Sequence, residues 1–381
     1  LGRGEAGRDA FTSTLPAHLN AAQRADVWDV CLDGMRETGD IIQMKVRKIL
    51  ETHNLGDIHE IHSLCGGKLD QVYRVSFKDG RRYFAKYAGD TVGAESVGEK
   101  LRFKPRRRLS AERRALNRLR DNGIDEVDLP DVVLFDKETL TLVLTEICPG
   151  GTPLLNDLKK GLFDPKIAGQ ASHFLARCHT LAAPIAPVWG DRDTDRLHWH
   201  TMLALRTVGI KTDAVSEPIR NDLAVLKQAS EAASEQTGEN SLLILDDISQ
   251  NILLGTQRIG VIDFELCSSS GDPAYDLGLF LGDYILFGLI TGSGHSAQIA
   301  LREALNAYRQ RVGNRWMAMR SRVVSFAGAA MLHHLMGPRR MVVQSFEPRV
   351  VHTAAALLSS GLGEVEEIDS ILGSAISGRF A

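Results

Sequence analysis

Two acids that follow short apolar runs are the residues of this chain best suited to chemistry. Asp263 ends the apolar run 259–262, and Asp276 follows a Gly-Asp-Pro turn a little further along the chain. Upstream of both, Asp246 and Asn251 lie on a tight connection between apolar residues. Short strands that deliver acids to one place suit a Mg²⁺-nucleotide site, because phosphoryl transfer needs positioned metal ions and an acid that orients the acceptor hydroxyl.

The spacing of Asp246 and Asn251 favours this interpretation. Four residues separate them, which is the spacing with which kinase catalytic loops place a hydroxyl-orienting acid and a metal-binding amide. Asp263, at the end of a Val-Ile strand, would be the second metal ligand. Each of these residues alone is more often a turn residue or a helix cap, so the prediction depends on their combination.

Three features of the N-terminal half could handle phosphate. Gly66 and Gly67 precede an alternating strand, and glycine lets the backbone approach a phosphate and present N–H donors. Lys86 alternates inward within the apolar strand 82–88, where it either extends to solvent or pairs with a phosphate. Glu112, on the helix that follows, could pair with Lys86 or be a solvated acid. Their order along the chain, ahead of the acids, favours a nucleotide site.

The elements that must position these residues follow from the periodicity. Residues 72–77 alternate between apolar and polar, residues 78–81 contain a central Asp-Gly, and residues 82–88 return, which predicts a β-hairpin. Ser110 is predicted to cap the next helix, and Gly123 to end it.

The strand pattern gives way to a helical pattern after residues 140–147. We expect a helical N-terminal extension over residues 1–56, a β-rich nucleotide-binding lobe over 57–147, and a helical lobe with the catalytic loop and acceptor site over 148–381. A hinge is expected near residues 146–152, where proline and glycine interrupt the pattern.

The composition argues against several classes of protein. The net charge of −3 does not suit an electrostatic nucleic-acid binder. Five scattered cysteines indicate neither a zinc site nor a disulfide framework, so a reducing cytoplasm is the expected location. The apolar run 277–292 contains Asp283 and is short for a bilayer, which predicts a buried helix and no membrane partner. The apolar face of residues 320–336 suits either the core or a homodimer interface.

Three motifs give the chain a family resemblance. They are the Asp-x₄-Asn loop, Ile-Asp-Phe-Glu at 262–265 and Gly-Asp-Pro-Ala-Tyr-Asp-Leu at 271–277. The chain resembles the aminoglycoside phosphotransferase and choline kinase superfamily over most of its length. That resemblance implies a protein-kinase-like, two-lobe α+β fold with a small β-rich N-lobe and a larger, mostly helical C-lobe. Segments 159–180, 275–286 and 326–337 look most like 5-methylthioribose kinases.

The resemblance also implies an activity and a set of roles. The activity is ATP-dependent, Mg²⁺-dependent transfer of the γ-phosphoryl group to the hydroxyl of a small-molecule acceptor, which could be sugar-like, an amino alcohol or an antibiotic. Main-chain groups near Glu146 and Cys148 would meet the adenine, and Asp276 would brace the catalytic loop. The other implied roles are phosphate contact by Gly66, Gly67 and Lys86, orientation of Lys86 by Glu112, acid–base catalysis by Asp246, and Mg²⁺ binding by Asn251 and Asp263.

One departure from the family pattern leaves a second hypothesis open. The family usually carries His-Gly before the catalytic acid, where this chain has Ile244 and Leu245. The histidine is thought to hold the catalytic loop against the metal-binding segment, and the glycine permits a tight backbone. Leu245 therefore predicts either another backbone conformation or a shift of the working acid to Asp247. The alternative function is a pseudokinase that binds nucleotide and acts as a regulatory partner.

Three further motifs have both a structural and a functional interpretation. Residues 198–200 read His-Trp-His, and two histidines two apart on a helix point in different directions, which favours packing over a metal site. The acidic run 191–195 is expected to be a solvated loop or a contact for a cationic acceptor. His333 and His334 replace the arginine pair of methylthioribose kinases, which argues against the same substrate, and are expected at a helix surface or as a semi-buried pair.

Overall fold

The computed structural model forms two compact units, one of Leu1–Gly93 with Asp136–Val143 and the other of Ala94–Phe135 with Leu144–Ala381. Gly66 and Gly67, which the sequence places in a phosphate-binding turn, lie outside the described residues. The structure describes residues 40–64, 71–88, 105–182, 185–207, 216–236, 241–336, 347–363 and 368–377.

A five-stranded sheet follows helix α1, which spans residues 40–52. The strands are β1 (Ile58–Leu64), β2 (Gln71–Phe77), β3 (Arg82–Tyr87), β4 (Val132–Asp136) and β5 (Thr141–Thr145). They lie in the order β1-β2-β3-β5-β4, with β1, β2 and β3 joined by antiparallel pairs. Tyr73, Val75 and Phe77 on β2 are all buried, as expected of a strand with one face in the core.

The hairpin predicted between β2 and β3 is confirmed. The amide of Phe77 donates to the carbonyl of Arg81 at 2.9 Å, which closes the turn. Gly80 has a φ of 89°, a conformation that glycine adopts without a steric penalty. The carboxylate of Asp79 accepts from the amide of Arg81 at 3.0 Å and supports the same turn.

The second unit is mostly helical and also contains a small sheet. Its sheet has the order β6-β7-β8, built from β6 (Thr152–Pro153), β7 (Ile252–Leu254) and β8 (Ile259–Val261). The helices are α2 (Pro105–Asp121), α3 (Leu154–Leu158), α4 (Pro165–His179), α5 (Arg192–Thr207), α6 (Glu217–Gln236), α7 (Ile248–Asn251), α8 (Ala274–Thr291), α9 (Gly294–Val312), α10 (Arg315–Met336), α11 (Glu347–Ser360) and α12 (Ile368–Ser377).

Helix α8 lies in the core of the second unit. By length and composition it could cross a membrane, but 89% of its apolar window is buried inside the protein, as in a core helix. Gly278 and Gly282 bring α10 very close to it. A Cβ at Gly278 would lie 2.9 Å from the carbonyl oxygen of Val323, and one at Gly282 would lie 2.8 Å from that of Ala327. The two helices therefore pack with their backbones almost in contact.

Two expectations about helices are resolved by the fold. Helix α2 begins at Pro105, so Ser110 lies inside the helix and the prediction that it caps the helix was wrong. Proline is favoured at the first position of a helix and arginine is a good helix former, which extends α2 toward the N-terminus. Gly123 ends the helix as predicted, with a φ of 65°. The apolar face of 320–336 belongs to the core, since Phe326 and Leu332 on it are fully buried.

Candidate active site

Asp246 and Asn251 meet across a single turn of helix. Nδ2 of Asn251 donates to Oδ2 of Asp246 at 3.0 Å, and both residues are buried. Asp247 stands at the start of this turn, α7, where its carbonyl accepts from the amide of Gln250 at 3.0 Å. The fold therefore joins Asp246, rather than Asp247, to the amide that the sequence selects as a metal ligand.

The segment that leads into Asp246 is fixed by Asp276. The two carboxylate oxygens of Asp276 accept from the amides of Ile244 at 2.7 Å and Leu245 at 2.9 Å. Asp276 lies in the first turn of α8 and is fully buried. Hydrogen bonds to an ionised, buried acceptor are among the stronger ones in proteins. The expected bracing contact between Asp276 and the catalytic loop is therefore present.

Leu245 keeps a backbone conformation that usually needs glycine. Its φ is 61°, in the left-handed region, where an L-residue costs roughly 1–2 kcal/mol. Its side chain is completely buried, and such burial contributes about 1.5–3 kcal/mol. Burial thus offsets the strain, and the leucine occupies the tight turn without displacing Asp246 from Asn251.

His179 supports Asp276 from helix α4. Its Nε2 donates to Oδ2 of Asp276 at 3.0 Å, and its Nδ1 accepts from the hydroxyl of Tyr308 at 2.7 Å. Burial raises the pKa of Tyr308 well above its usual value, so the hydroxyl keeps its proton. A chain of hydrogen bonds therefore runs from α9 through α4 to the start of α8 and on to the catalytic loop.

Strand pairing brings Asn251 and Asp263 to the same end of a hairpin. Ile252 on β7 lies opposite Val261 on β8, and the amide of Ile262 donates to the carbonyl of Asn251 at 3.0 Å. Asp263 follows immediately with a φ of 67°. Aspartate is one of the few residues that adopt this conformation readily, and strained backbone of this kind concentrates at functional sites.

Three carboxylates gather where β8 ends. One oxygen from each of Glu112, Asp263 and Glu265 lies within 4.8 Å of the other two. Glu112 is fully buried on α2, and its Oε1 accepts from the amide of Phe264 at 3.4 Å. Arg108 lies 3.7 Å from the carboxylate of Glu265. Carboxylate oxygens gathered in this way are the ligands that a divalent cation such as Mg²⁺ prefers.

Sequence analysis missed two members of this cluster. Glu265 stands two residues after Asp263 in the Ile-Asp-Phe-Glu motif, which was the available signal. Arg108 precedes Glu112 by four residues, the spacing that places two side chains on one helix face. The expected role of Glu112, to orient Lys86, stays a prediction, since Lys86 belongs to the other compact unit.

A family model described as the phosphotransferase enzyme family matches residues 60–319. That match covers more than half of the chain, and it includes the Asp246 loop and the carboxylate cluster. The chain belongs to the phosphotransferase enzyme family. Its β-rich N-terminal part and mostly helical C-terminal part agree with the protein-kinase-like fold expected from the sequence. A comparison with curated proteins found no match.

Solved phosphotransferases with related folds share little sequence with this one. A choline kinase from Streptococcus pneumoniae is 15% identical, with a TM-score of 0.49 over 85% of this chain and 99% of that one. A macrolide 2′-phosphotransferase from Brachybacterium faecium is 16% identical, with a TM-score of 0.48 over 84% and 98%. The phosphotransferase APH(2″)-IIa, in a ternary complex with streptomycin and ATP, is 14% identical, with a TM-score of 0.47 over 82% and 97%.

Lys86 of this phosphotransferase lies on β3 opposite Val72. The expectation that it alternates inward needs correction. Tyr83 and Ala85 point to the buried face of the strand, whereas Lys86 is half-buried on the other face.

The segment assigned to the adenine has an unusual backbone at Cys148. This residue has a φ of 45°, and Gly151 donates its amide to the Cys148 carbonyl at 2.8 Å, which makes a tight turn directly after Glu146. The thiol donates to Oδ2 of Asp128 at 3.7 Å. Burial, together with the Asp128 carboxylate, raises the pKa of Cys148 to about 11, so the thiol stays protonated.

The His-Trp-His motif of the phosphotransferase is structural, as its spacing predicted. Trp199 is fully buried. His198 bonds to the carbonyl of Leu266 at 2.7 Å, while His200 lies 3.4 Å from Glu231. The two histidines therefore point in different directions.

The acidic run 191–195 is only partly the solvated loop that was expected. Thr194 donates from its amide to Oδ1 of Asp191 at 2.7 Å, an exposed cap-like contact at the start of α5. Asp195, in contrast, is fully buried and accepts from several donors. The donors to Asp195 come from Val188 and Trp189 just upstream and from Ser269, 74 positions downstream, and acidic spacing within the run carries no signal of them.

His333 and His334 are held inside the helical unit. Nε2 of His334 lies 2.7 Å from Oδ1 of Asp283, and His333 is buried. The prediction of a semi-buried pair therefore agrees with the structure. Asp283 is also nearly buried, so the contact supplies a partner for a carboxylate inside an apolar helix.

Proposed function

We propose that this phosphotransferase is an ATP-dependent small-molecule kinase that transfers the γ-phosphoryl group to an acceptor hydroxyl. One observation carries the proposal above all. The carboxylates of Glu112, Asp263 and Glu265 gather at the end of β8, which pairs with the strand that directly follows the Asp246–Asn251 loop. An acid beside a divalent-cation site is the arrangement that phosphoryl transfer requires.

Asp246 is the proposed catalytic acid–base. Its carboxylate would accept the proton of the acceptor hydroxyl, or orient that hydroxyl toward the phosphate. The hydrogen bond from Asn251 fixes the rotamer of the carboxylate before the acceptor arrives, which reduces the entropy lost on reaching the reactive geometry. Lys86, Gly66 and Gly67 would contact the nucleotide phosphates, and main-chain groups near Glu146 and Cys148 would meet the adenine.

The donor set fits Mg²⁺, which prefers oxygen ligands. Asn251 and Asp263 would hold the ion, and Glu265 and Glu112 would contribute directly or through water. When bound, Mg²⁺ neutralises negative charge on the phosphates that are being transferred. Arg108 lowers the negative charge of the cluster by pairing with Glu265, which makes three close carboxylates more tolerable inside the fold.

The acceptor is proposed by class only. A small molecule with a hydroxyl group, sugar-like or an amino alcohol, suits the roles given to Asp246 and the carboxylate cluster. The finer likeness to methylthioribose kinases is weakened by His333 and His334, which are engaged within the protein where those kinases carry an arginine pair.

A pseudokinase remains the second candidate because of Ile244. An isoleucine side chain has no polar atom with which to brace the catalytic loop against the metal-binding segment. Against this candidate, Asp276 already holds the backbone of Ile244, and Leu245 retains the left-handed turn. The loop is therefore braced by other groups.

The two candidates differ in turnover. Release of ADP from Mg²⁺-ATP would be measured across methylthioribose, other pentoses, aminoglycosides, choline-like amino alcohols and homoserine, with Asp246→Asn beside the native protein. Acceptor-dependent ADP release that is lost in the variant supports the kinase. Binding of ATP by a folded protein that releases no ADP with any acceptor favours the pseudokinase.

A further inference from the structure

Two side chains from the start of α5 and the turn before it bind the segment that follows the proposed metal ligands. Nε2 of His198 donates to the carbonyl of Leu266 at 2.7 Å, and Nε1 of Trp189 donates to the carbonyl of Cys267 at 2.7 Å. These carbonyls belong to the two residues immediately after Glu265. The rings of Trp189 and His198 also stack, with centroids 4.2 Å apart.

Asp195 ties this pair to the same segment. Its carboxylate accepts from the amide of Ser269 at 2.9 Å and from the hydroxyl of that residue. It also accepts from the amides of Val188 at 3.0 Å and Trp189 at 2.6 Å. A fully buried carboxylate with this many donors is a rigid anchor, because breaking any one bond leaves a buried charge less well paired.

The opposite side of the segment is bonded to the extended residues that lead into Asp246. Leu243 donates to the carbonyl of Ser268 at 2.8 Å, and Ser268 donates back to the carbonyl of Leu243 at 3.0 Å. We call the group formed by Trp189, Asp195 and His198 the α5 clamp. The segment 266–269 is therefore bonded on one side to the residues that precede Asp246 and on the other side to the α5 clamp.

We propose that Trp189 and His198 are positioning residues that set the carboxylates of Asp263 and Glu265 for the metal ion. The side chain of Ile244 cannot donate a hydrogen bond to segment 266–269. The α5 clamp instead fixes that segment by hydrogen bonds from the opposite side. His198 and Trp189 bind the carbonyls of the first and second residues after Glu265. Loss of either hydrogen bond therefore changes the position of the Glu265 carboxylate. The inference rests on the proposed function, since it assumes that Asp263 and Glu265 hold a metal.

Trp199 provides a matched control for Trp189. Both tryptophans are buried, and they lie ten positions apart in the same compact unit. Nε1 of Trp199 has no hydrogen-bond partner among the described residues, whereas Nε1 of Trp189 donates to Cys267. Phenylalanine at either position removes the N–H and a similar volume, so the variants differ chiefly in the bond to the carbonyl.

The experiment measures Mn²⁺ affinity in the presence of ATP, by electron paramagnetic resonance of free Mn²⁺, for the native protein, Trp189→Phe and Trp199→Phe. The same titration of ATP without protein is subtracted, because ATP alone binds Mn²⁺. We expect Trp189→Phe to weaken Mn²⁺ binding about tenfold and Trp199→Phe to weaken it about twofold or less, because only the first leaves a buried carbonyl unpaired. ATP affinity in EDTA should be alike in the two variants. Because the unpaired carbonyl also lowers the stability of Trp189→Phe, Mn²⁺ binding is measured far below both thermal midpoints. His198→Leu should act like Trp189→Phe, and His198→Gln, whose amide can replace the Nε2 donor, should restore much of the affinity.

The outcomes separate this inference from the function on which it rests. A native protein that binds Mn²⁺ with ATP, and variants that lose affinity equally or not at all, would overturn the positioning role while the kinase proposal stands. A folded native protein that binds no Mn²⁺ with ATP would overturn both. Selective loss in Trp189→Phe together with rescue by His198→Gln, both measured on fully folded protein, supports the inference.

Discussion

His179 and Asp276 form a hydrogen bond of 3.0 Å although they lie 97 residues apart, and both are almost completely buried. Asp276 uses the rest of its carboxylate to hold two amides of the segment that enters Asp246. The position of the proposed catalytic acid is therefore linked to helix α4, which carries no proposed catalytic group. Stability and turnover should respond together when this bond is broken.

Replacing His179 by leucine should lower both the unfolding free energy and the turnover rate. The change removes the donor to a buried carboxylate and the acceptor for the Tyr308 hydroxyl, at a cost of about 2–4 kcal/mol of unfolding free energy. Denaturant unfolding measures the loss, and kcat should fall more than the affinity for ATP. Tyr308→Phe is the control, since it removes only the outer hydroxyl and should cost about 1 kcal/mol. Equal losses in the two variants would contradict a special role for the bond to Asp276.

Replacing Asp263 by asparagine should abolish Mg²⁺-dependent turnover while the fold survives. A carboxylate is a far better ligand than an amide for a hard cation, so we expect a loss of about 100-fold or more in kcat, or about 3 kcal/mol of transition-state stabilisation. The measurement is ADP release as a function of Mg²⁺ concentration. Asp131→Asn, at an exposed position, serves as the control. Undiminished turnover would remove Asp263 from the set of metal ligands.

Leu245→Gly should destabilise the protein even though it restores the residue that the family usually carries. Relief of left-handed strain contributes roughly 1–2 kcal/mol, whereas loss of a fully buried leucine side chain and the cavity it leaves cost about 3–5 kcal/mol. The thermal midpoint should fall, and ADP release at low temperature should not rise. A variant that gained both stability and activity would show that Leu245 distorts the loop.

Acid should destabilise the fold partly through His198. Burial lowers the pKa of His198 to about 4, although the bond to the Leu266 carbonyl opposes the shift. An unfolded histidine titrates near 6.5, so between pH 6.5 and pH 4 the unfolded state binds a proton that the native state does not. The contribution of the neutral ring is complete above pH 6.5 and is lost as the pH falls toward 4, on the order of 3 kcal/mol. Unfolding free energy across this range should have a smaller pH slope in His198→Gln, and an unchanged slope would contradict the assignment.

Gly278→Ala should be strongly destabilising despite the higher helix propensity of alanine. Propensity favours alanine by about 1 kcal/mol, but the added Cβ would lie 2.9 Å from the carbonyl of Val323 on α10. Overpacking against backbone costs about 1–3 kcal/mol or more, because no side chain can rotate away. Gly363→Ala is the control, since its nearest neighbour would be 3.7 Å away. Similar thermal midpoints for the two variants would mean that α8 and α10 separate easily.

Local patterns predicted the parts of this protein whose causes are local. The β2–β3 hairpin followed from alternation and an Asp-Gly turn, and the end of α2 followed from Gly123. The start of α2 was misplaced because Ser110 is a typical cap residue, whereas the proline and arginines before it favour a helix that begins earlier. The helical interpretation of the C-terminal part held because apolar spacing persists over many turns there.

The chemistry was also partly readable in the chain. The types and order of Asp246, Asn251 and Asp263 predicted a catalytic loop and a metal ligand, since few other functions need an acid, an amide and an acid at those intervals. Their meeting at one hairpin end agrees with that prediction.

Only the tertiary structure decided which distant groups hold these residues in place. Trp189 meets Cys267 across 78 positions, His179 meets Asp276 across 97, and Glu112 meets Phe264 across 152. A hydrogen bond between such residues leaves no periodic signal, because it depends on how whole helices pack against one another. The sequence by itself therefore determined the family, the hairpin and the acids of the proposed site, while packing determined which distant groups contact those acids and the segments that carry them.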